Sequence, residues 1–231
     1  MANKKRPQTG STRALKKSST GRSIALVALG VAAALAAAVY LSSGGAGPTT
    51  TALDAALLAD TGGGHVRGPE NPAVTLIEYG DYECPTCATF HPIVSELMRR
   101  MPSELELEFH HYPIPVGANS ITAAAAAEAA GEQGRYWDMH DALYDTQSQW
   151  RGRANDPELF VSMAGQLGLD TDRFREDIES QEILARIMAD RQRGDRAGVA
   201  GTPTFFINGR RLDYLPAIDE FESIIRSVMG R

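Results

Sequence analysis

The sequence predicts an α/β domain with an inserted helical subdomain, preceded by one N-terminal transmembrane helix. Three observations support this fold class. A strand pattern at residues 74–79 is followed by a helical pattern and a second strand pattern, which together indicate a βαβ unit. Only helical signals follow, over residues 117–197. Strand signals return near residue 204, before a closing helix, so that the domain occupies residues 64–231.

The N-terminal part of the chain differs in charge from the rest. Residues 1–23 form a basic arm, and residues 1–53 contain seven Lys or Arg and no acid, although the whole chain has a net charge of −6. The folded part is therefore acidic and has no basic patch. No nucleic-acid partner is expected for it.

Residues 24–41 are an uncharged run of mostly Ala, Leu and Val, just long enough to cross a ~30 Å hydrocarbon core as a helix. The basic arm before this run places the N-terminus in the cytoplasm and the domain outside it, in a single-pass protein of the cell membrane. Residues 42–63 are rich in Gly, Thr and Ala and predict a flexible linker.

Two alternatives exist for the apolar run. It resembles a cleaved secretory signal, with Gly44 and Ala46 near the cleavage point, and cleavage would give a secreted form. A buried helix of the domain is the second alternative, but such a helix is expected to have a polar face, and this run has none. The first two interpretations both export the domain.

The first half of the domain is predicted to form strand, helix and strand. Apolar residues at helical spacing follow the strand at 74–79, namely Phe90, Ile93, Val94, Leu97, Met98 and Met101. Pro92 lies inside this helix and should kink it. Residues 105–110 alternate apolar and polar side chains and predict a second strand, parallel to the first.

The second half is predicted to be helical and then to end in a hairpin and a helix. The helical signals cover residues 123–130, 136–143, 157–167 and 172–192. Strands at 204–207 and 210–214 flank Asn208-Gly209, a favoured two-residue hairpin turn. The closing helix is predicted at 218–228.

Cys84 and Cys87 are the only cysteines of the chain and lie where the first strand meets the first helix. Two thiols at this spacing are able to form a Cys84–Cys87 disulfide. The first thiol meets the positive end of the helix dipole, which favours its reactive thiolate. The sequence therefore predicts a redox pair.

Glu78 precedes Cys84 by six residues, on the first strand. A buried carboxyl group there would point toward the second cysteine and could accept or deliver its proton. The alternative is an exposed residue on a sheet edge. Pro203, at the start of a later strand, is a second residue that strengthens the interpretation of the C-x-x-C pair.

With these features together, residues 65–229 resemble the DsbA-like thiol-disulfide oxidoreductases, which have a thioredoxin-like fold (βαβ followed by ββα) with a helical insertion. The matching segments are residues 78–87, 134–144, 167–170 and 198–209. The resemblance implies an enzyme that forms or exchanges disulfides in proteins and needs no bound cofactor.

The resemblance also implies roles for individual residues. Cys84 would be the nucleophile that forms the mixed disulfide with a client, and Cys87 the buried thiol that resolves it. Glu78 falls on the buried acid of the family. Thr202-Pro203 falls on a loop with a cis peptide bond, where the residue before proline offers its backbone to an extended substrate segment.

Two residues depart from the best-known oxidant of this family. Thr86 stands where that oxidant has a histidine, and Glu83 places a negative charge directly before Cys84. Both should make the thiolate less stable and the oxidising power milder. Thr202 also resembles isomerase-type members, so a reductase or isomerase remains an alternative, as does a non-catalytic chaperone or binding module.

The alternative to the redox pair is a zinc half-site formed by Cys84 and Cys87 and extended by His91 or by His110-His111. Pro85 at the first helical position suits a helix cap better than a metal knuckle, so no metal site is predicted. The residues Tyr136, Trp137, His140 and Tyr144 are at helical spacing and predict core packing rather than an aromatic binding site.

The expected function follows from these inferences. The chain is predicted to be a membrane-tethered thiol-disulfide oxidoreductase whose substrates are cysteine-containing exported proteins. Turnover requires a membrane redox partner, either a quinone-linked oxidase or a reductase, which no feature of the sequence names.

Overall fold

The computed structural model describes residues 63–115 and 117–230. The predicted basic arm, the transmembrane run and all but the last residue of the predicted linker lie outside the described residues. Among the residues that are described, no helix combines the length and the apolar composition needed to cross a membrane.

A five-stranded mixed sheet forms the centre of the domain. Its strands are β1 (His65–Arg67), β2 (Val74–Gly80), β3 (Leu105–His111), β4 (Thr204–Ile207) and β5 (Arg210–Arg211), arranged in the order β1-β3-β2-β4-β5. Strand β2 is central, parallel to β3 and antiparallel to β4. The predicted parallel βαβ unit is confirmed. Strand β1, antiparallel to β3 at the edge, was not predicted, because three residues are too few to show a period.

The described residues form eight helices, in the βαβ unit, in the insertion and after the hairpin. They are α1 (Pro85–Arg100), α2 (Ser120–Gly131), α3 (Tyr136–Asp145), α4 (Gln147–Trp150), α5 (Pro157–Gln166), α6 (Thr171–Asp177), α7 (Gln181–Arg196) and α8 (Ile218–Val228). The helical signal at 172–192 corresponds to two helices. Ser180 separates them, since its backbone is extended and its side chain accepts a hydrogen bond from the amide of Glu182.

The hairpin has the predicted turn but a shorter second strand. Asn208 and Gly209 have φ angles of 44° and 78°, the left-handed pair that a type I′ turn requires. Strand β5 has two residues instead of the predicted five. Its pairing ends where the Leu212 amide donates to the Phe205 carbonyl oxygen. The predicted closing helix is confirmed as α8.

Helix α1 starts as the sequence indicates. Cys84 is its N-cap residue and Pro85 occupies the first turn, where a missing amide hydrogen costs nothing. The helix continues through Pro92 to Arg100. Its apolar stripe packs against the sheet and α8, with Phe90 and Leu97 among the buried residues.

The insertion has its own apolar core around α2. Residues 123–130 of α2 are nearly all alanine, and small side chains allow neighbouring helices to approach closely. Bulky side chains of the surrounding helices fill this core, including Trp150, Phe160 and Phe174. Cys84 and Cys87 pack against the same cluster. The insertion is therefore in contact with the start of α1.

Candidate active site

The loop between β2 and α1 is held by the carboxylate of Asp81. Its Oδ1 accepts a hydrogen bond from the Glu83 amide at 2.8 Å. Its Oδ2 accepts from the Ile114 amide at 2.7 Å and from the Ser120 hydroxyl at 2.9 Å. The backbone carbonyl of Asp81 accepts from the Cys84 amide at 3.0 Å. This network positions the first cysteine at the helix start.

The two cysteines are free thiols with different exposure. Cys84 is 9% exposed and Cys87 is fully buried. The hydrogen bond from the Cys87 side chain lowers the pKa of Cys84 to about 5, and the amides of Cys87 and Thr86 add to this effect. These amides are the unpaired donors of the first helical turn. Cys84 is therefore a thiolate at neutral pH.

Cys87 has the opposite shift. Burial raises the pKa of Cys87, and the hydrogen bond to Cys84 and the nearby Glu78 carboxyl raise it further. The pair thus consists of one ionised sulfur and one protonated sulfur. An ionised first thiol and a protonated second thiol are what a nucleophile and a resolving thiol require.

Glu78 lies on the central strand and is 3% exposed, so the alternative of an exposed edge residue is wrong. Burial raises the pKa of Glu78 to about 8, and the charge of Cys84 contributes in the same direction. A carboxyl group with a pKa near neutrality is able both to donate and to accept a proton.

The Thr202–Pro203 loop lies against Cys84. The peptide bond between these two residues is cis. The Cys84 sulfur is 3.3 Å from the Thr202 carbonyl oxygen, although the two residues are 118 positions apart in the chain. The structure thus brings together the thiol and the backbone that the resemblance assigns to substrate binding.

Glu83 has a role that the sequence analysis missed. It was considered only as a negative charge beside Cys84, but its side chain is buried and points to the insertion. Its Oε2 accepts from the Asn119 amide at 2.6 Å, and its Oε1 accepts from the Gly152 amide at 3.0 Å. Its charge is therefore engaged by backbone donors, and it joins the cysteine loop to the insertion. Its residue type and position in the sequence carry no signal for these distant partners.

Gln147 was also missed. Its side-chain amide donates to the carbonyl oxygens of Tyr82 at 2.7 Å and Cys84 at 2.8 Å. Beside these residues lies a cavity of about 320 Å³, lined in part by Cys84, Ile114 and Arg151. The insertion therefore supports the cysteine loop and forms one side of a groove next to the sulfur.

The alternative zinc site on the two cysteines is not supported. In residues 63–115 and 117–230, each group of three candidate metal ligands lacks a cysteine. Tyr136, His140 and Tyr144 are buried, as predicted, whereas Trp137 is partly buried and packs against the edge of the same apolar cluster. The Tyr82 hydroxyl is 3.1 Å from the Tyr136 hydroxyl and 3.0 Å from His140 Nδ1.

Comparison with known proteins gives a family and a set of relatives. The family model described as "Thioredoxin" matches residues 60–227. The Na(+)/H(+) antiporter NhaA 1 of Salinispora arenicola is 43% identical over 148 residues, which are 64% of this chain and 22% of that protein. NhaA of Herminiimonas arsenicoxydans is 35% identical over 64% of this chain and 23% of its own length. The chain thus spans less than a quarter of the curated relatives it matches.

Solved structures share the fold over most of their length. A thioredoxin-like oxidoreductase of Silicibacter pomeroyi DSS-3 has a TM-score of 0.65 and 26% identity, covering 78% of this chain and 99% of that chain. BdbD of Bacillus subtilis has a TM-score of 0.68 and 19% identity, with 80% and 99% covered. α-DsbA1 of Wolbachia pipientis has 0.66 and 20%, with 73% and 92% covered. The chain belongs to the thioredoxin family and shares its fold with BdbD and α-DsbA1.

Proposed function

We propose that the chain is an extracytoplasmic, membrane-tethered thiol-disulfide oxidoreductase that forms or exchanges disulfides in exported proteins through Cys84 and Cys87. One observation carries the proposal. The two thiols of a single C-x-x-C pair have opposite pKa shifts, with Cys84 lowered to about 5 and Cys87 raised by burial. A structural cysteine pair has no need of this difference.

In the oxidising direction the reaction starts from the Cys84–Cys87 disulfide. A client thiolate attacks the sulfur of Cys84, the Cys84–Cys87 bond breaks, and Cys87 leaves as a thiolate. A second client thiolate then attacks the client sulfur of the mixed disulfide and releases Cys84 as a thiolate. The client loses two electrons and gains a disulfide, and the enzyme becomes a dithiol. The low pKa of Cys84 favours this second step, because Cys84 is then a good leaving group.

Glu78 supplies the proton that Cys87 takes up. Cys87 leaves as a buried thiolate, a species that is costly in an apolar environment. The carboxyl group of Glu78 is equally buried and has a pKa raised to about 8, so it carries a proton at neutral pH. Transfer of this proton to the sulfur returns Cys87 to its neutral form. The reverse reaction uses the same group as a base.

The client segment lies between the Thr202–Pro203 loop and the groove beside Cys84. An extended backbone there pairs with Thr202 as an added strand would. The cavity of about 320 Å³ next to the sulfur accommodates side chains that flank the client cysteine. Its lining combines the charged residues Asp81, Glu83 and Arg151 with small residues such as Gly117, Ser120 and Gly152.

The direction of the reaction depends on the reduction potential and the redox partner. Oxidation needs a membrane acceptor, such as a quinone-linked oxidase, whereas a reductase or isomerase needs a membrane donor. A reduction potential well above about −200 mV favours oxidation, and a value near or below about −270 mV favours reduction. Equilibration of the full chain with glutathione buffers measures this potential.

Two cysteine variants test the order of the thiols. Cys87→Ser should trap clients on Cys84 as mixed disulfides, visible as high-mass bands that reductant removes. Cys84→Ser is the matched control and should show neither these bands nor exchange above the uncatalysed background. A Cys84→Ser variant that still supports disulfide formation in cells would contradict the enzymatic proposal and favour a binding module.

The pH dependence of alkylation tests the opposite pKa shifts of Cys84 and Cys87. The reduced protein should react at Cys84 with a midpoint near pH 5. At pH 7 the thiolate fraction is then about 30-fold higher than for an ordinary cysteine. Cys87 should stay unmodified in the native protein. Equal inertness of the two thiols would refute the proposed roles.

A further inference from the structure

We propose that His65, His111 and Glu128 form a binding site for a divalent metal ion of the zinc type, separate from the two cysteines. The three residues come from three elements, the edge strand β1, the end of β3 and the middle of α2. They are far apart in the sequence, which is why the sequence analysis predicted no metal site.

The three donor atoms converge. The Nε2 atoms of His65 and His111 lie 2.7 Å and 2.9 Å from the same oxygen, Oε1 of Glu128. One donor atom from each residue lies within 4.8 Å of the other two. Around a tetrahedral zinc ion with bonds of about 2.0–2.1 Å, donor atoms are roughly 3.4 Å apart. Outward shifts of about half an ångström would therefore admit the ion between them.

Glu128 is an unusual residue for its position. It is 4% exposed and lies in the alanine run of α2, where an unpaired carboxylate would be costly. Its Oε1 lies within hydrogen-bond distance of both imidazole Nε2 atoms, so the two histidines are the partners of this buried side chain. The carboxyl group therefore faces two imidazole nitrogens at one point. Two histidines and one carboxylate are a common zinc ligand set.

Neighbouring aromatic side chains contact the two imidazoles. The ring of His65 stacks on Tyr136, with ring centres 3.3 Å apart and an interplanar angle of 11°. The Tyr136 hydroxyl lies 3.5 Å from His111 Nε2 and is itself held by Tyr82. Stacking on Tyr136 therefore fixes the His65 ring, whereas the Tyr136 hydroxyl contacts the ligating nitrogen of His111 and would turn away from it when the ion binds. In the metal-bound form each neutral imidazole carries its proton on Nδ1.

A cavity of about 450 Å³ leaves room for a fourth ligand. His65, Glu128, Tyr136, Trp137 and Arg186 contribute to its lining. Three protein ligands beside an accessible space correspond to an open zinc site, in which water or an anion completes the coordination. Nε of Arg186 is 3.6 Å from Oε2 of Glu128. Arg186 is also paired with Glu132, and Asp138 joins the two glutamates in the lining, so water rather than an anion is the favoured fourth ligand.

Metal titration of the full chain in mild detergent tests the site. The Cys84→Ser/Cys87→Ser double variant is used, so that the thiols bind no metal, and the protein is first treated with chelator. Calorimetry with Zn²⁺ and absorption spectroscopy with Co²⁺ should show one ion per chain. His65→Ala should weaken binding by more than tenfold and remove the cobalt spectrum. His65 is on an edge strand with a side chain that is 27% exposed, so this variant should fold.

His91→Ala is the matched control, because His91 belongs to the other group of candidate ligands, with His140 and Asp141. It should bind the ion as tightly as its parent. Absence of binding in the double cysteine variant would overturn the proposal and leave a closed hydrogen-bonded cluster. Binding that His65→Ala does not change, or that His91→Ala removes, would overturn it as well. None of these results depends on the thiol chemistry.

Discussion

Two buried glutamates of this domain show how different environments use the same side chain. Glu78 on β2 is 3% exposed and Glu128 on α2 is 4% exposed. Burial raises the pKa of Glu78 to about 8, whereas the pKa of Glu128 lies far below its usual range although burial opposes this. Exposure alone therefore says nothing about the charge of a buried carboxyl group.

The difference lies in the neighbours. Glu128 accepts hydrogen bonds from His65 and His111, so its ionised form is stabilised. Glu78 lies near the sulfur atoms, and the charge of Cys84 disfavours its ionised form. Glu128 is thus a permanent charge, whereas Glu78 can exchange a proton near neutral pH. The first property suits binding and the second suits proton transfer.

The largest expected effect is a gain of stability in Glu78→Gln. In the folded protein the pKa of Glu78 is raised from 4.5 to about 8, so its stabilising contribution is complete below pH 4.5 and is lost as the pH rises to 8. At pH 7 the glutamine should therefore stabilise the reduced protein by roughly 3 kcal/mol. Urea denaturation between pH 5 and 8 measures this, together with the rate of thiol exchange, which should fall.

The wild-type protein is the reference for both measurements. Its stability should decrease from pH 5 to pH 8, and this decrease should be smaller in the variant. An identical dependence of stability on pH in the two proteins, or an unchanged rate of thiol exchange, would show that Glu78 is not the group that transfers a proton to Cys87.

Glu128→Gln should have the opposite sign. Its folded pKa is depressed, so the ionised side chain stabilises the fold above pH 4.5, and this contribution is lost as the pH falls below that value. The substitution removes the negative charge that faces two histidines. It should destabilise the protein at pH 7 by about 2 kcal/mol, measured with chelator present. Glu132→Gln, at the C-cap position that follows α2 and 37% exposed, is the control and should have little effect. A stabilised Glu128→Gln variant would remove the contrast with Glu78.

Glu83→Gln extends the comparison to a third buried carboxylate. Its partners are the backbone amides of Asn119 and Gly152, and a glutamine oxygen can still accept from only one of them well. The expected loss is about 1 kcal/mol, together with faster hydrogen exchange at these two amides. Unchanged exchange at Gly152 would mean that Glu83 does not hold the insertion to the cysteine loop.

The smallest expected effect concerns the titration of Cys84. In Glu128→Gln the alkylation midpoint should stay within about 0.3 pH units of the wild type, because Glu128 is not among the groups that set the pKa of Cys84. Glu78→Gln should also change it little, since Glu78 is already protonated near pH 5. A large shift in Glu128→Gln would show that the two regions are electrostatically coupled.

Local patterns in the sequence were sufficient for several parts of the structure. The apolar stripe of α1, the parallel strands β2 and β3 and the turn at Asn208-Gly209 depend on neighbouring residues, and all three are confirmed. The position of Cys84 at a helix start belongs to the same class, because a strand, a proline and a helical period specify it within about ten residues.

The amino-acid order thus specified where a redox pair begins a helix and which elements surround it, since periodicity and turn chemistry act over a few residues. It did not reveal that Glu83 binds the insertion, or that His65, His111 and Glu128 meet. It left open whether Glu78 is buried. These features arise when strands and helices from distant parts of the chain pack together. Tertiary packing determines which ionisable side chains are desolvated and which hydrogen-bond donors lie beside them.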